Sequence, residues 1–127
     1  MTGYVGNIEE LTLSNTNFRQ VVFTGKYSQL VLMSLNPNEE IGMEVHPNVD
    51  QFFRIEKGEG KVVMNNEETA VKDGSAIVVP AGTQHNVINI SSDMPLKLYT
   101  IYTPPQHKDG TIHKTKAEAM ADEGDHL

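Results

Sequence analysis

The chain of 127 residues has the length of one domain, and its 38% hydrophobic and 21% charged content fits a folded protein, not a disordered one. A formal net charge of −7 weighs against nucleic acid and anionic membrane as partners, since both would repel it. The lack of cysteine excludes disulfides, thiolate metal sites and a cysteine nucleophile, and no apolar run approaches the roughly 18 residues that span a bilayer.

Residues Met1 to Asn7 lack the basic start and apolar core of a secretion signal, so a cytoplasmic location is expected. Short β-like runs then recur between turn signals. Strands are expected over 18–24, 29–35, 41–46, 51–56 and 61–64, then over 69–71, 76–79, 85–90 and 96–102. Asn36-Pro37-Asn38, Lys57-Gly58-Glu59-Gly60, Asn65-Asn66, Asp73-Gly74 and Asp93-Met94-Pro95 supply the turns. Breaks this frequent leave no room for crossover helices, so the fold class is all-β, an antiparallel sandwich or barrel. Beyond Tyr102 the style changes. Pro104-Pro105 ends the last strand, a polar loop follows, and Thr115-Lys116-Ala117-Glu118 reads as a capping box that opens a short helix before Gly124. The chain therefore reads as a single domain, 1–127, with a β core over 18–103 and a C-terminal loop and helix over 104–127.

Two segments carry the chemistry. In Gly74 to Asn89 an apolar strand ends at Pro80, and a new strand opens at His85, which shares one face with Val87 and Asn89. A histidine so placed can point into the interior and ligate a metal. In Glu44 to Gly58, Glu44 and His46 share a face, while Gln51, Phe53 and Ile55 alternate with the more polar Phe52, Arg54 and Glu56. A Glu, a His and a Gln converging on an apolar interior are costly unless partnered, and a divalent cation would partner them. Imidazole nitrogen with carboxylate oxygen suits Fe, Mn, Co, Ni or Zn.

These segments resemble the paired motifs of the cupin superfamily, G-x5-H-x-H-x3,4-E-x6-G and G-x5-P-x-G-x2-H-x3-N. Gly74, Pro80, Gly82, His85 and Asn89 match the second motif at every defined position. The first matches in frame through Glu44, His46, Gln51 and Gly58, but Glu44 replaces a histidine, Gln51 replaces the glutamate, and Asn38 stands where the leading glycine belongs. The resemblance implies a double-stranded β-helix, or jelly-roll barrel, and a divalent transition metal held by Glu44, His46, Gln51 and His85. The formal ligand charge stays that of the family's set, with its one carboxylate moved to the first position. The resemblance also implies a homodimer in which Ile8 to Leu13, as an edge strand, crosses to the partner subunit.

Two function classes follow. A metal-dependent enzyme would act on a small-molecule substrate, in a dioxygenase-like manner or as a sugar isomerase, epimerase or cyclase. Glu44 would serve as general base if burial raises its pKa. The alternative is a non-catalytic carrier or sensor whose cavity is lined by Phe53, Ile55, Val87 and a C-terminal tyrosine; storage-type assembly ranks last. The motif glycines and Pro80 specify turns with or without metal. In a metal-free pocket Gln51 would hydrogen-bond Glu44 or His46. Asn89 reads as a strand-ordering hydrogen-bond partner, His107 and His113 as solvated loop residues, and Asp122 to Asp125 as a solvated end. The competing reading of the tail is that it folds back over the barrel mouth and offers an imidazole to substrate.

Overall fold

The computed structural model describes residues 2–127. In chain order the elements are α1 (Ile8–Ser14), β1 (Arg19–Thr24), β2 (Gln29–Leu35), β3 (Asp50–Lys57), β4 (Glu59–Met64), β5 (Glu67–Lys72), β6 (Ala76–Val79), β7 (His85–Asn89), β8 (Leu96–Thr103), β9 (Ile112–His113) and α2 (Lys116–Ala121). They form two antiparallel sheets, ordered β6-β3-β8-β2-β1-β9 and β5-β4-β7. The inner faces share one core, in which Val31, Met33, Phe53, Ile55, Val87, Leu96, Leu98 and Tyr102 are at most 1% exposed. This is the antiparallel jelly roll expected, built as two facing sheets without a continuous closed ladder. Among the described residues no helix is long and apolar enough to cross a membrane.

Alternation explains which side chains reach the interior. Along β3, Gln51, Phe53 and Ile55 are buried while Phe52, Arg54 and Glu56 are only partly covered. Along β7, His85, Val87 and Asn89 all face inward. Asn89 donates from Nδ2 to the carbonyls of Leu35, Asn36 and Met94, and its Oδ1 accepts from the Ser91 N–H. It joins β7 to the end of β2 and the turn before β8, and the buried Leu35 carbonyl and two partly buried ones depend on it. Asn89→Ala is expected to lower unfolding free energy by about 2–4 kcal/mol, read from urea denaturation, because it orphans those acceptors. A loss below about 0.5 kcal/mol would remove the bracing role.

Two expected strands fold otherwise. Ile8 to Leu13 is helix, not an edge strand. Asn7 caps it by accepting from the Glu10 N–H at 3.0 Å, and Glu9 and Glu10 suit the positive end of the helix dipole. Thr12, fully buried, donates back to the Ile8 carbonyl at 2.6 Å. The proposed partner-crossing strand is therefore not present as a strand. Ile41 to His46 does lie along β7, but only bridges at Glu40–Ile88 and Glu44–His85 survive. Gly42 takes a φ of +112° and its N–H donates to the Asn86 side chain at 2.9 Å in place of a backbone carbonyl. The ladder is broken there by a bulge that only glycine enters cheaply. Glu44 still exchanges both backbone hydrogen bonds with His85, at 2.8 and 2.9 Å, so the bulge leaves the two motifs in register.

Candidate metal centre

The two motifs meet at one end of the jelly roll. His46 Nε2–H donates to Glu44 Oε2 at 3.0 Å, and the His46 and His85 rings lie 5.5 Å apart. One donor atom from each of Glu44, His46 and His85 lies within 4.8 Å of the others. Gln51 Oε1 sits 3.1 Å from His85 Nε2. The structure thus brings all four sequence-predicted residues together. Gln51 bonds neither Glu44 nor His46; its side chain reaches His85 and Thr100.

The donor set fits a cation, and neighbouring hydrogen bonds show why. The Thr100 hydroxyl donates to the Phe52 carbonyl at 2.8 Å, so it must accept from Gln51 Nε2 at 3.0 Å. That fixes the amide with Oε1 toward His85. His85 Nδ1 faces the Thr83 carbonyl at 2.9 Å and can only donate to it, which leaves Nε2 as a lone pair. Two buried acceptors then confront each other, and only a positive species between them, a second proton or a metal ion, makes the contact favourable. An ion whose ligands lie about 2.1 Å away spans about 3.0 Å between neighbouring donors at right angles, close to both separations observed. Glu44 completes the set with one negative charge. Burial alone would raise its pKa, as the sequence reading expected. The hydrogen bond from His46, helped by the nearby Arg19 charge, outweighs burial and holds the carboxyl below its ordinary value. Glu44 is therefore an anionic donor first and a poor proton acceptor.

The residues of this frame match a family as well as a geometry. The cupin domain family model matches residues 31–102. The chain belongs to the cupin domain family. It is 55% identical over 126 residues to the uncharacterized protein YrkC of Bacillus subtilis, covering 94% of this chain and 67% of that one. It is 48% identical over 112 residues to the uncharacterized protein L612 of Acanthamoeba polyphaga mimivirus, covering 86% and 70%. The crystal structure of BH2720 from Bacillus halodurans superposes with a TM-score of 0.90 at 49% identity, covering 93% of each chain. The structure of KdgF from Halomonas sp., at 20% identity and a TM-score of 0.64 over 72% and 79% of the chains, shares the fold.

The C-terminal segment of this cupin is where sequence reasoning fell shortest. His107 and His113 are not solvated; they are 2% and 4% exposed. Asp125 is equally buried, although Asp122 to Asp125 reads as a solvated end. His107 Nδ1–H donates to Asp125 Oδ2, Asp125 Oδ1 accepts from Thr111 Oγ1 at 2.7 Å, and the Tyr102 hydroxyl donates to His107 Nε2 at 3.1 Å. Burial first, then the nearby Arg19 charge, pushes the His107 pKa down to about 4 even with Asp125 beside it. Asp125 is lowered too, because hydrogen bonds from Thr111 and His107 overcome its burial. At neutral pH the pair is a neutral imidazole on a carboxylate. Burial pushes the Tyr102 phenol well above its ordinary range, so it stays a donor.

Backbone contacts hold the segment in place. The buried Gln29 accepts from the N–H groups of Gln106 and His107 and donates to the His107 carbonyl at 2.7 Å. Strand β9 pairs with the start of β1, Arg19 opposite His113. Thr115 caps α2 by accepting from the Glu118 N–H, as predicted; the Glu118 side chain reaches the Lys114 N–H one residue earlier than a capping box requires. The tail does return over the mouth, but His107 and His113 are spent on Asp125, Tyr102 and Asp122. His126 is the tail imidazole that lines the resulting cleft, with Phe18, Arg19, Ile41 and Glu44 on the barrel side. The cleft holds about 310 Å³. Phe53, Ile55 and Val87, expected to line a cavity, instead fill the core. Two further clusters, His107 with Asp125 and His126, and His113 with Asp122 and Asp125, have ligand-like spacing, but the His107 and His113 rings are already engaged by Asp125, Tyr102 and Asp122.

Proposed function

We propose that this cupin holds one divalent transition metal through Glu44, His46, Gln51 and His85 and acts on a small molecule bound in the cleft beneath its C-terminal segment. The observation that carries the reading is the lone-pair confrontation of Gln51 Oε1 and His85 Nε2 at 3.1 Å beside the ionised Glu44. A bound ion would supply Lewis acidity toward a ligand oxygen, or oxygen activation where it is redox-active. The chain's own contribution is to place the donors, to keep Glu44 anionic, and to shelter the cleft with α2 and the residues that follow. Because His46 Nε2 carries its proton toward Glu44, loading the ion requires that proton to leave Nε2, as by a shift to Nδ1.

The test is metal analysis of protein purified without chelator, followed by oxygen uptake and carbonyl-isomerisation screens. About one metal ion per chain, with turnover abolished by chelator and restored by the ion, supports the enzyme reading. Metal without turnover of any screened enol, phenol or sugar assigns the protein to ligand binding. Protein that takes up no divalent ion at micromolar concentrations overturns the centre. Glu44→Gln separates roles: retained metal with full turnover would leave Glu44 no part in catalysis.

A further inference from the structure

Arg19 opens β1 and is 5% exposed, yet among the described residues no carboxylate lies within ion-pair distance of it. Its Nε is buried without a hydrogen-bond partner. Its side chain has one polar contact, to His113 Nδ1 at 3.4 Å. The carboxylates of Glu44 and Asp125 reach this cation only at longer range, so its desolvation cost is repaid only in part. The surroundings nonetheless orient it. Asp122 accepts from His113 Nε2–H at 3.0 Å, which leaves Nδ1 free to accept from Arg19. The Phe18 ring lies 5.3 Å from the guanidinium carbon and packs beneath the planar group. Arg19 lines the same 310 Å³ cleft as Glu44.

We propose that Arg19 anchors the carboxylate of a short oxo- or hydroxy-acid, whose second oxygen reaches the Glu44, His46, Gln51 and His85 centre. The second contact rests on the metal-centre reading; the first rests on Arg19 alone. A guanidinium presents paired donors that match a carboxylate edge, and a ligand's carboxylate would supply the missing counter-charge. With a divalent ion beside a single carboxylate, the inner wall of the cleft is positive. Asp122 is already engaged by His113, while Lys116 and Glu123 oppose each other at the rim. The volume lies at the low end of ligand pockets, so the acid is short.

Isothermal titration calorimetry tests this with acetoacetate against acetoacetamide and lactate against lactamide, on manganese-loaded and on metal-stripped protein. Each acid is expected to bind the parent at least about tenfold tighter than its amide, and Arg19→Gln is expected to shrink that ratio below about twofold in protein loaded with manganese to the same stoichiometry. Arg19→Lys, keeping charge without the fork, should give an intermediate ratio. A smaller version of the same ratio should appear in stripped protein, because Arg19 needs no ion to hold a carboxylate. A ratio near one in the parent, or a tenfold ratio that survives in Arg19→Gln, overturns the assignment. Protein that takes up no manganese would remove the metal-centre reading, and the ratio in stripped protein would then decide Arg19 by itself. Should Arg19→Gln not fold, Arg19→Lys decides, and a ratio equal to the parent's overturns the proposal.

Discussion

His85→Ala is expected to weaken divalent-metal binding by more than about a hundredfold, since losing even an outer-shell partner of a ligand costs about 10–100-fold. His85 is fixed through Nδ1–H, which donates to the Thr83 carbonyl and leaves Nε2 aimed at Gln51, so no other side chain can take its place. His46→Ala should behave similarly. Thr100→Val should cost less: Gln51 loses the acceptor that holds its amide in orientation but remains in place. The metal-free fold should survive His85→Ala, because the turns at Pro80 and Gly82 and the backbone exchange between Glu44 and residue 85 do not involve the imidazole. Titration with manganese and zinc beside far-ultraviolet circular dichroism reads both arms. A folded His85→Ala chain with undiminished affinity would show that the ion, if bound, sits elsewhere.

Acid should release the C-terminal segment before it unfolds the barrel. Docked, His107 must be neutral: Nδ1–H serves Asp125, and Nε2 accepts from Tyr102. A second proton would remove that acceptor and bury a cation near Arg19 and His126. In the undocked chain His107 titrates near 6.5, whereas docked it titrates near 4. The undocked form therefore binds more protons between those values, so docking is fully supported above pH 6.5 and loses support as pH falls toward 4. The lost stabilisation approaches roughly 3 kcal/mol at the low end. Asp125, lowered by Thr111 and His107, adds a further loss in the same direction at more acid pH. Hydrogen exchange at Lys108 and Leu127, whose N–H groups donate to the Asp125 and Gln106 carbonyls, should accelerate on acidification ahead of exchange in β2 and β8. His107→Asn should flatten this pH response, and Gln29→Ala should raise exchange in the segment at every pH. Exchange at these positions that stays level relative to the barrel from pH 7 to 4.5 would sink the assignment.

The sequence exposed those parts of the molecule where local chemistry and tertiary role coincide. The second motif is legible because Gly74, Pro80 and Gly82 demand turns, and the alternation from His85 onward then follows from strand geometry. The convergence of Glu44, His46, Gln51 and His85 is legible for the same reason: a one-residue slip would point the set away from the core. Asn86 was invisible. Alternation points it away from His85, and nothing local says that the 39–46 segment covers it and borrows its carbonyl oxygen for Gly42. The N-terminal helix had a signal, Asn7 three residues before Glu10, but Ile8, Leu11 and Leu13 fit either period over so short a run. His107 and Asp125 stand 18 residues apart in polar surroundings, where composition favours solvent. Their burial depends on Gln29, a long-range clamp that no window of sequence contains. The lowered pKa of Glu44 comes first from His46, two residues on in the chain, and only then from Arg19, which lies far from it.

The bulge at Gly42 bears on how the centre meets ions of different radius. Gln51 and His85 project from β3 and β7, each fixed by ladder neighbours. Glu44 and His46 project from a stretch outside any continuous ladder, tied by the bridge at Glu44 and by the His46 carbonyl that accepts from Gly82. One jaw of the site is set by the sheet, and the other is carried on irregular backbone. If the proposed ion is bound, such a mount would favour tolerance over strict ion choice: the adjustable jaw could follow a larger ion such as manganese or close on a smaller one such as zinc. Supply in the cell, more than cavity size, would then decide which ion the protein carries.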